Sequence, residues 1–129
     1  MKLQKGLLLI PAVFGLGWGS IGLIAPGKLE LLLGVPAESI NPALISTQLT
    51  FAISQICLGI ISLWIRSLDD QKIMSQAMKV VAAAFLLFGI ELVLAPFVVA
   101  GATMNMVLFI QGIVFIILAG VFFSARNPK

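Results

Sequence analysis

The sequence predicts an all-α protein, a four-helix transmembrane bundle with a short interfacial helix in the outer loop between the first and second spans. Three observations carry this expectation. Of 129 residues, 60% are apolar and only 10% charged, with a mean hydropathy of +1.16; that is too little charge to clothe a water-exposed surface of this size. The charges are also segregated: residues 6–27 and 39–65 carry none, and residues 80–125 carry only Glu91. Finally, at about 20 residues per crossing, the chain has room for a single domain (residues 1–129) with four or five spans at most.

The charge-free windows place the spans at Leu7–Ala25, Pro42–Arg66, Gln76–Ala100 and Met104–Ser124. Each is about 29 Å long or more at about 1.5 Å per residue, enough for a hydrocarbon core of about 30 Å. The first is glycine-rich (Gly15, Gly17, Gly19, Gly22), and Gly15-x-x-x-Gly19 puts two glycines on one face, where a neighbouring helix can approach closely. Pro11 and Pro96 are expected to kink the first and third spans. Met-Lys-Leu-Gln-Lys before an apolar run also resembles a signal peptide, but the run is long and Pro26 follows Ala25 directly, so the segment is read as a retained helix.

Residues 26–41 are too apolar for a free linker. Pro26 suits a helix start and Gly34 a stop, so residues 28–33 are expected to form the interfacial helix. Asn41-Pro42 reads as an N-cap followed by proline at the first helical position. Ser67–Lys72 reads as a solvated turn in which Asp69 and Asp70 solubilise or cap the third helix; Gly101-Ala102-Thr103-Met104-Asn105 separates the third and fourth.

Seven of the eight Lys and Arg residues (Lys2, Lys5, Arg66, Lys72, Lys79, Arg126, Lys129) fall on one side of this layout, and only Lys28 on the other. The positive-inside rule then places both termini and the loop between the second and third spans in the cytoplasm, with the chain integral to the membrane.

Much chemistry is excluded by composition. There is no His and no Tyr, and Cys57 is the single cysteine, so internal disulfides, His-centred acid–base catalysis and the common metal spacings are absent from the sequence. Cys57 reads as a small packed side chain. No catalytic residue, metal site or cofactor is expected, and the net charge of +3 forms no patch for nucleic acid.

The candidate ligand-binding residues are Glu91, Gln55, Gln111 and Trp18. Counted from the basic end, they lie about 16–23 Å into the membrane at comparable levels, so four packed helices bring them into one polar layer. Thr47, Gln48, Ser54 and Ser62 extend the polar stripe on the second span. Glu91 is expected to face the bundle interior, because an intramembrane carboxyl is costly unless paired or functional. As structural glue it is protonated and donates to a glutamine carbonyl; as a functional group it binds a cation, a proton or a polar head group, with Trp18 as the wall.

The first span with Gly15, Gly17, Trp18 and Gly22, its close at Ala25-Pro26, the outer-loop Leu33-Gly34-Val35-Pro36 and the second-span ending Leu63-Trp64-Ile65-Arg66 together resemble the DoxX-like group of small bacterial four-span proteins. That resemblance implies a helical bundle in the bacterial plasma (inner) membrane, acting as an accessory component of membrane redox or stress systems. It brings no catalytic residue. Where many relatives carry an Arg and an Asp-Gly pair, this chain has Gly89-Ile90-Glu91-Leu92. The chain also resembles small multidrug-resistance transporters in length and in having one membrane glutamate, which in that family lies in the first helix.

These readings lead to a non-enzymatic accessory or small-ligand-binding subunit built around the polar layer. Two alternatives stand beside it: a small proton-coupled transporter acting as an oligomer, and a quinone-binding subunit of a membrane redox system. The expected partners are the lipid bilayer and either further copies of the chain or a larger membrane protein.

Overall fold

A computed structural model describes residues 1–32, 34–98 and 104–127. The elements are α1 (Lys2–Leu7), α2 (Leu9–Ile24), α3 (Lys28–Leu32), a 3-10 turn (Ala37–Ser39), α4 (Pro42–Ser67), α5 (Gln71–Val98) and α6 (Met106–Ser124), with no strand among the described residues. Four stretches are long and apolar enough to cross a membrane: Lys2–Ile24, Pro42–Ser67, Gln71–Val98 and Met106–Ser124. The chain divides into two compact units, residues 5–69 and residues 1–4 with 70–129.

In the unit of residues 5–69, α2 packs on α4. The contact is made where side chains are missing. A Cβ on Gly15 would collide with the Gln55 carbonyl and lie 2.9 Å from the Gly59 nitrogen; one on Gly19 would lie 2.7 Å from the Ala52 carbonyl oxygen. Backbones this close gain dispersion contacts along the whole seam, the force that holds helices together where lipid is as apolar as leucine. The expected effect of Pro11 appears as a break at Leu8, between α1 and α2. Proline has no N–H for the Leu7 carbonyl and crowds it, and the next bond, from Ala12 N to the Leu8 carbonyl, is stretched to 3.4 Å.

The outer segment differs from expectation in one detail. Pro26 does not start the helix; it sits at the second position of a turn closed by Lys28 N bonding the Ala25 carbonyl at 3.1 Å, with Gly27 third at φ +87°. That is the type II pattern, which needs glycine at the third position. Beyond α3, Gly34 takes φ +85°, Val35 N reaches the Glu30 carbonyl at 2.9 Å and Gly34 N the Leu31 carbonyl at 3.1 Å. This pair of bonds satisfies carbonyls the helix end would leave open. The expected helical end at Leu33 lies outside the described residues. Asn41 caps α4 as the sequence requires, its Oδ1 accepting from Leu44 N at 3.0 Å with Pro42 following.

In the second unit, α5 packs on α6. Helix α5 begins at Gln71, five residues before the expected Gln76. Asp70 is the reason: its Oδ1 accepts from Lys72 N at 2.8 Å and Ile73 N at 2.9 Å, filling donors that the first turn leaves unpaired. Asn105 does the same for α6, which starts at Met106 rather than Met104. Met74, Met78, Val81 and Phe85 are buried on α5, and Phe115 and Phe122 on α6. The Phe85 ring meets Phe115 tilted at 5.2 Å and Phe122 stacked at 5.5 Å. Closer to the other end, a Cβ on Gly89 would lie 2.7 Å from the Gly112 carbonyl oxygen, again a backbone-to-backbone seam. The expected end of the third span at 99–100, the break at 101–103 and Lys129 lie outside the described residues.

The remaining surface is apolar. Ile24, Leu32, Leu87, Phe97, Val98 and Ile117 are all more than 60% exposed. At about 25 cal/mol per Å² of apolar area, water is an untenable solvent for such a surface, whereas hydrocarbon tolerates it. This is the build of a small integral membrane protein.

Candidate functional site

The four candidate residues fall two to each unit. In the first, Gln55 is half-buried on the face of α4 that carries the buried Ala52, Gly59 and Ser62, and its backbone carbonyl meets Gly15. Trp18 stands one turn beyond Gly15 on α2 and is also half-buried. With Val13, Phe14, Gly17 and Ile21 it lines a shallow hollow of about 220 Å³ that exposes no polar atom. Trp18 therefore offers an apolar wall rather than a polar clamp. The Thr47 and Ser54 hydroxyls donate to carbonyls of their own helix, at Ala43 and Thr50, both at 3.0 Å. They need no neighbour to be satisfied.

In the second unit, the Gly89–Gly112 contact sets the register of α5 against α6. Glu91 follows Gly89 by two residues and Gln111 precedes Gly112 by one, so in this antiparallel pair both lie to the same side of the contact and at neighbouring levels. They do not share a face. Gln111 is half-buried, whereas Glu91 is exposed. Within its own unit Glu91 does not meet the expectation that it faces inward: the buried stripe Val81-Phe85-Gly89 fixes which side of α5 meets α6, and Glu91 lies about 200° round the helix from Gly89. Leu87 and Leu94, one turn to either side of it, are 68% and 46% exposed. Glu91 has no hydrogen bond or ion pair among the described residues. A carboxyl set among leucines in an apolar stretch is costly in hydrocarbon unless it is paired.

Two buried polar side chains had no place in the sequence reading. Gln4 is 2% exposed and works as a clamp: its Nε2 donates to the Ala125 carbonyl at 2.9 Å and the Arg126 carbonyl at 3.1 Å, and its Oε1 accepts from Gln71 Nε2 at 3.1 Å. These partners are 67 to 122 residues away in sequence, so no local pattern announces them. The other is Glu30, also 2% exposed, whose Oε2 has no hydrogen-bond partner among the described residues. Its signal was a carboxylate set between Leu29 and Leu31 in a segment too apolar for a linker.

A buried acceptor without a donor costs about 1–3 kcal/mol, and replacing it with an apolar group of similar size removes that cost. Glu30→Leu is therefore expected to leave thermal stability in detergent unchanged or to raise it by up to about that amount. A clear loss of stability would show that the carboxylate has a partner, such as a bound cation, in the working protein.

The basic end carries one ion pair in the described residues, between the Lys5 ammonium and Asp69. The hydrogen bond from Lys5, and then its charge, hold the Asp69 carboxyl below the usual carboxylate range. Its contribution is present above the ordinary carboxylate pKa and fades as pH falls through the lowered one. Asp69 is fully exposed, so the pair is screened and weak. Arg66 Nε donates to the Lys5 carbonyl at 3.0 Å. Cys57, expected to be packed, is exposed on α4. No group of three or more His, Cys, Asp or Glu side chains stands close enough to hold a metal among the described residues. No family model, curated protein or solved structure matches the chain.

Proposed function

We propose that the chain is a non-enzymatic accessory subunit of the membrane, and that Glu91 is its contact with a partner or a small ligand held at the same place. The observation that carries this is the exposure of Glu91 among Leu87 and Leu94 on an otherwise uncharged helix face. Translocon-derived scales put an acidic group at a helix centre at about 2.5–3.5 kcal/mol. A partner that offers a hydrogen bond or a cation recovers that cost, and lipid does not. Gln111 lies at a neighbouring level on α6 but on a different face, and stands as a separate candidate for a polar contact. Trp18 and Gln55 belong to the same proposal as the apolar and amide elements of the α2–α4 hairpin.

In this reading the chain resides in a bacterial inner membrane with its Lys- and Arg-rich ends in the cytoplasm, and α3 rests at the outer interface. Kinship with the DoxX-like group is part of the proposal and is supported by the Gly15-to-Gly22 helix and the Leu63–Arg66 ending. The test is extraction of native membranes in mild detergent and identification of what copurifies in constant proportion. A retained membrane protein, or a second copy of the chain, supports the reading. Flux driven by a pH gradient through the purified chain in vesicles would replace it with the transporter alternative.

A further inference from the structure

A hollow of about 430 Å³ runs between α5 and α6 in the half of the hairpin that ends in basic residues. Its floor is made of small residues, Ala82, Ala119 and Gly120, and its walls of Leu86, Ile116 and Phe123. From Lys79 to Leu86 is seven residues, so the hollow is about 10 Å long along the helices. Almost all of its lining is apolar. The exception is Lys79, which lines one end and has no ion pair among the described residues. A second cation reaches the same place through Phe123: the Arg126 guanidinium lies 3.7 Å from the centre of that ring, and its Nη1 donates to the Phe123 carbonyl at 2.6 Å. The hollow is thus apolar along its length and cationic at one end.

We propose that this hollow seats an acyl chain of an anionic phospholipid, with Lys79 and Arg126 holding its headgroup phosphate. The polarity of the site is that of a single amphiphile, and basic recesses between membrane helices on the cytoplasmic side are suited to anionic headgroups. A protein occupant is less well matched. A second copy of this chain would have to bring an anion to Lys79, but at the basic end Asp69 is committed to Lys5 and Asp70 to the first turn of α5. Glu91 lies 12 residues along α5 from Lys79, about 18 Å away. The volume falls within the range of small-molecule sites, about 300–1,000 Å³. Gly120 completes the fit, since a side chain there would meet nothing within 4 Å and its absence leaves the space open.

Native mass spectrometry of the full chain tests this, with equimolar phosphatidylglycerol and phosphatidylcholine of matched acyl chains supplied in mild detergent. One phosphatidylglycerol is expected to be retained in preference to phosphatidylcholine. Lys79→Gln and Arg126→Gln are each expected to lower that preference about fivefold, with retention of phosphatidylcholine, whose choline already offsets its phosphate, falling less. Gly120→Leu fills open space, so the fold should survive while both lipids are lost; Ala83→Leu, at an exposed lining position, is the second filling variant. Retention in the supplied ratio, or a preference that ignores both charge changes, would overturn the proposal. So would a dimer that the filling variants abolish, since the occupant would then be a second copy.

Discussion

Gly15→Val is expected to take apart the α2–α4 hairpin. The new Cβ would collide with the Gln55 carbonyl and stand 2.9 Å from the Gly59 nitrogen, and both obstacles are backbone. A flexible side chain would swing aside, but here the helices themselves must separate. Overpacking of a rigid seam costs about 1–3 kcal/mol and sometimes more, and separation also forfeits the neighbouring contacts of Gly19 and Gly22 with Ala52 and Ile56. Unfolding monitored in detergent should show a large drop in midpoint. Gly17→Ala is the control, two residues away on the same helix, where an added Cβ meets nothing within 4 Å. It should be neutral or gain up to about 1 kcal/mol, the helical preference of alanine over glycine. Equal behaviour of the two variants would mean that the seam does not hold the hairpin.

That contrast also marks how far the sequence could be read. The spans follow directly from the charge-free windows, and Asn41-Pro42 and Gly34 place their own ends because capping is local chemistry. Gly15-x-x-x-Gly19 was legible as a close-contact face, yet nothing local distinguishes it from Gly17, which faces outward. The early start of α5 lay in Asp70, whose two bonds to Lys72 N and Ile73 N outweigh its role as a solvated turn residue. Glu91 stands off the α5–α6 seam for a physical reason. Depth in a membrane is counted along the chain, but facing is decided by which stripe packs, and the Gly89–Gly112 contact wins over the preference of one carboxyl. Gln4 stayed hidden because its partners, Gln71, Ala125 and Arg126, are distant in sequence.

Replacing Glu91 should have the second large effect, on association rather than on folding. Since Glu91 is exposed and makes no bond among the described residues, neither Glu91→Gln nor Glu91→Leu should lower the thermal stability of the isolated chain. Leucine should in fact make α5 uniformly apolar from Val80 to Val98 and favour its insertion. Copurification should separate the two. Glutamine keeps the shape and the capacity to hydrogen-bond, so it should retain much of the partner if the contact is a hydrogen bond and lose it if the contact is a cation. Leucine should lose it in both cases, by on the order of a hundredfold if the whole intramembrane cost of about 2.5–3.5 kcal/mol is recovered in the complex. A destabilised Glu91→Leu chain with its partner still bound would return Glu91 to the role of internal glue.

The most direct test of a Glu91-centred contact is photo-crosslinking in native membranes from a benzophenone side chain at position 94, one turn from Glu91 on the exposed face of α5. Position 117 on α6, where Ile117 is 61% exposed, serves as the reference surface. The prediction is a discrete protein adduct from position 94 that disappears in a Glu91→Leu background, with lipid adducts alone from position 117. Lipid adducts alone from both positions, unchanged by Glu91→Leu, would contradict it.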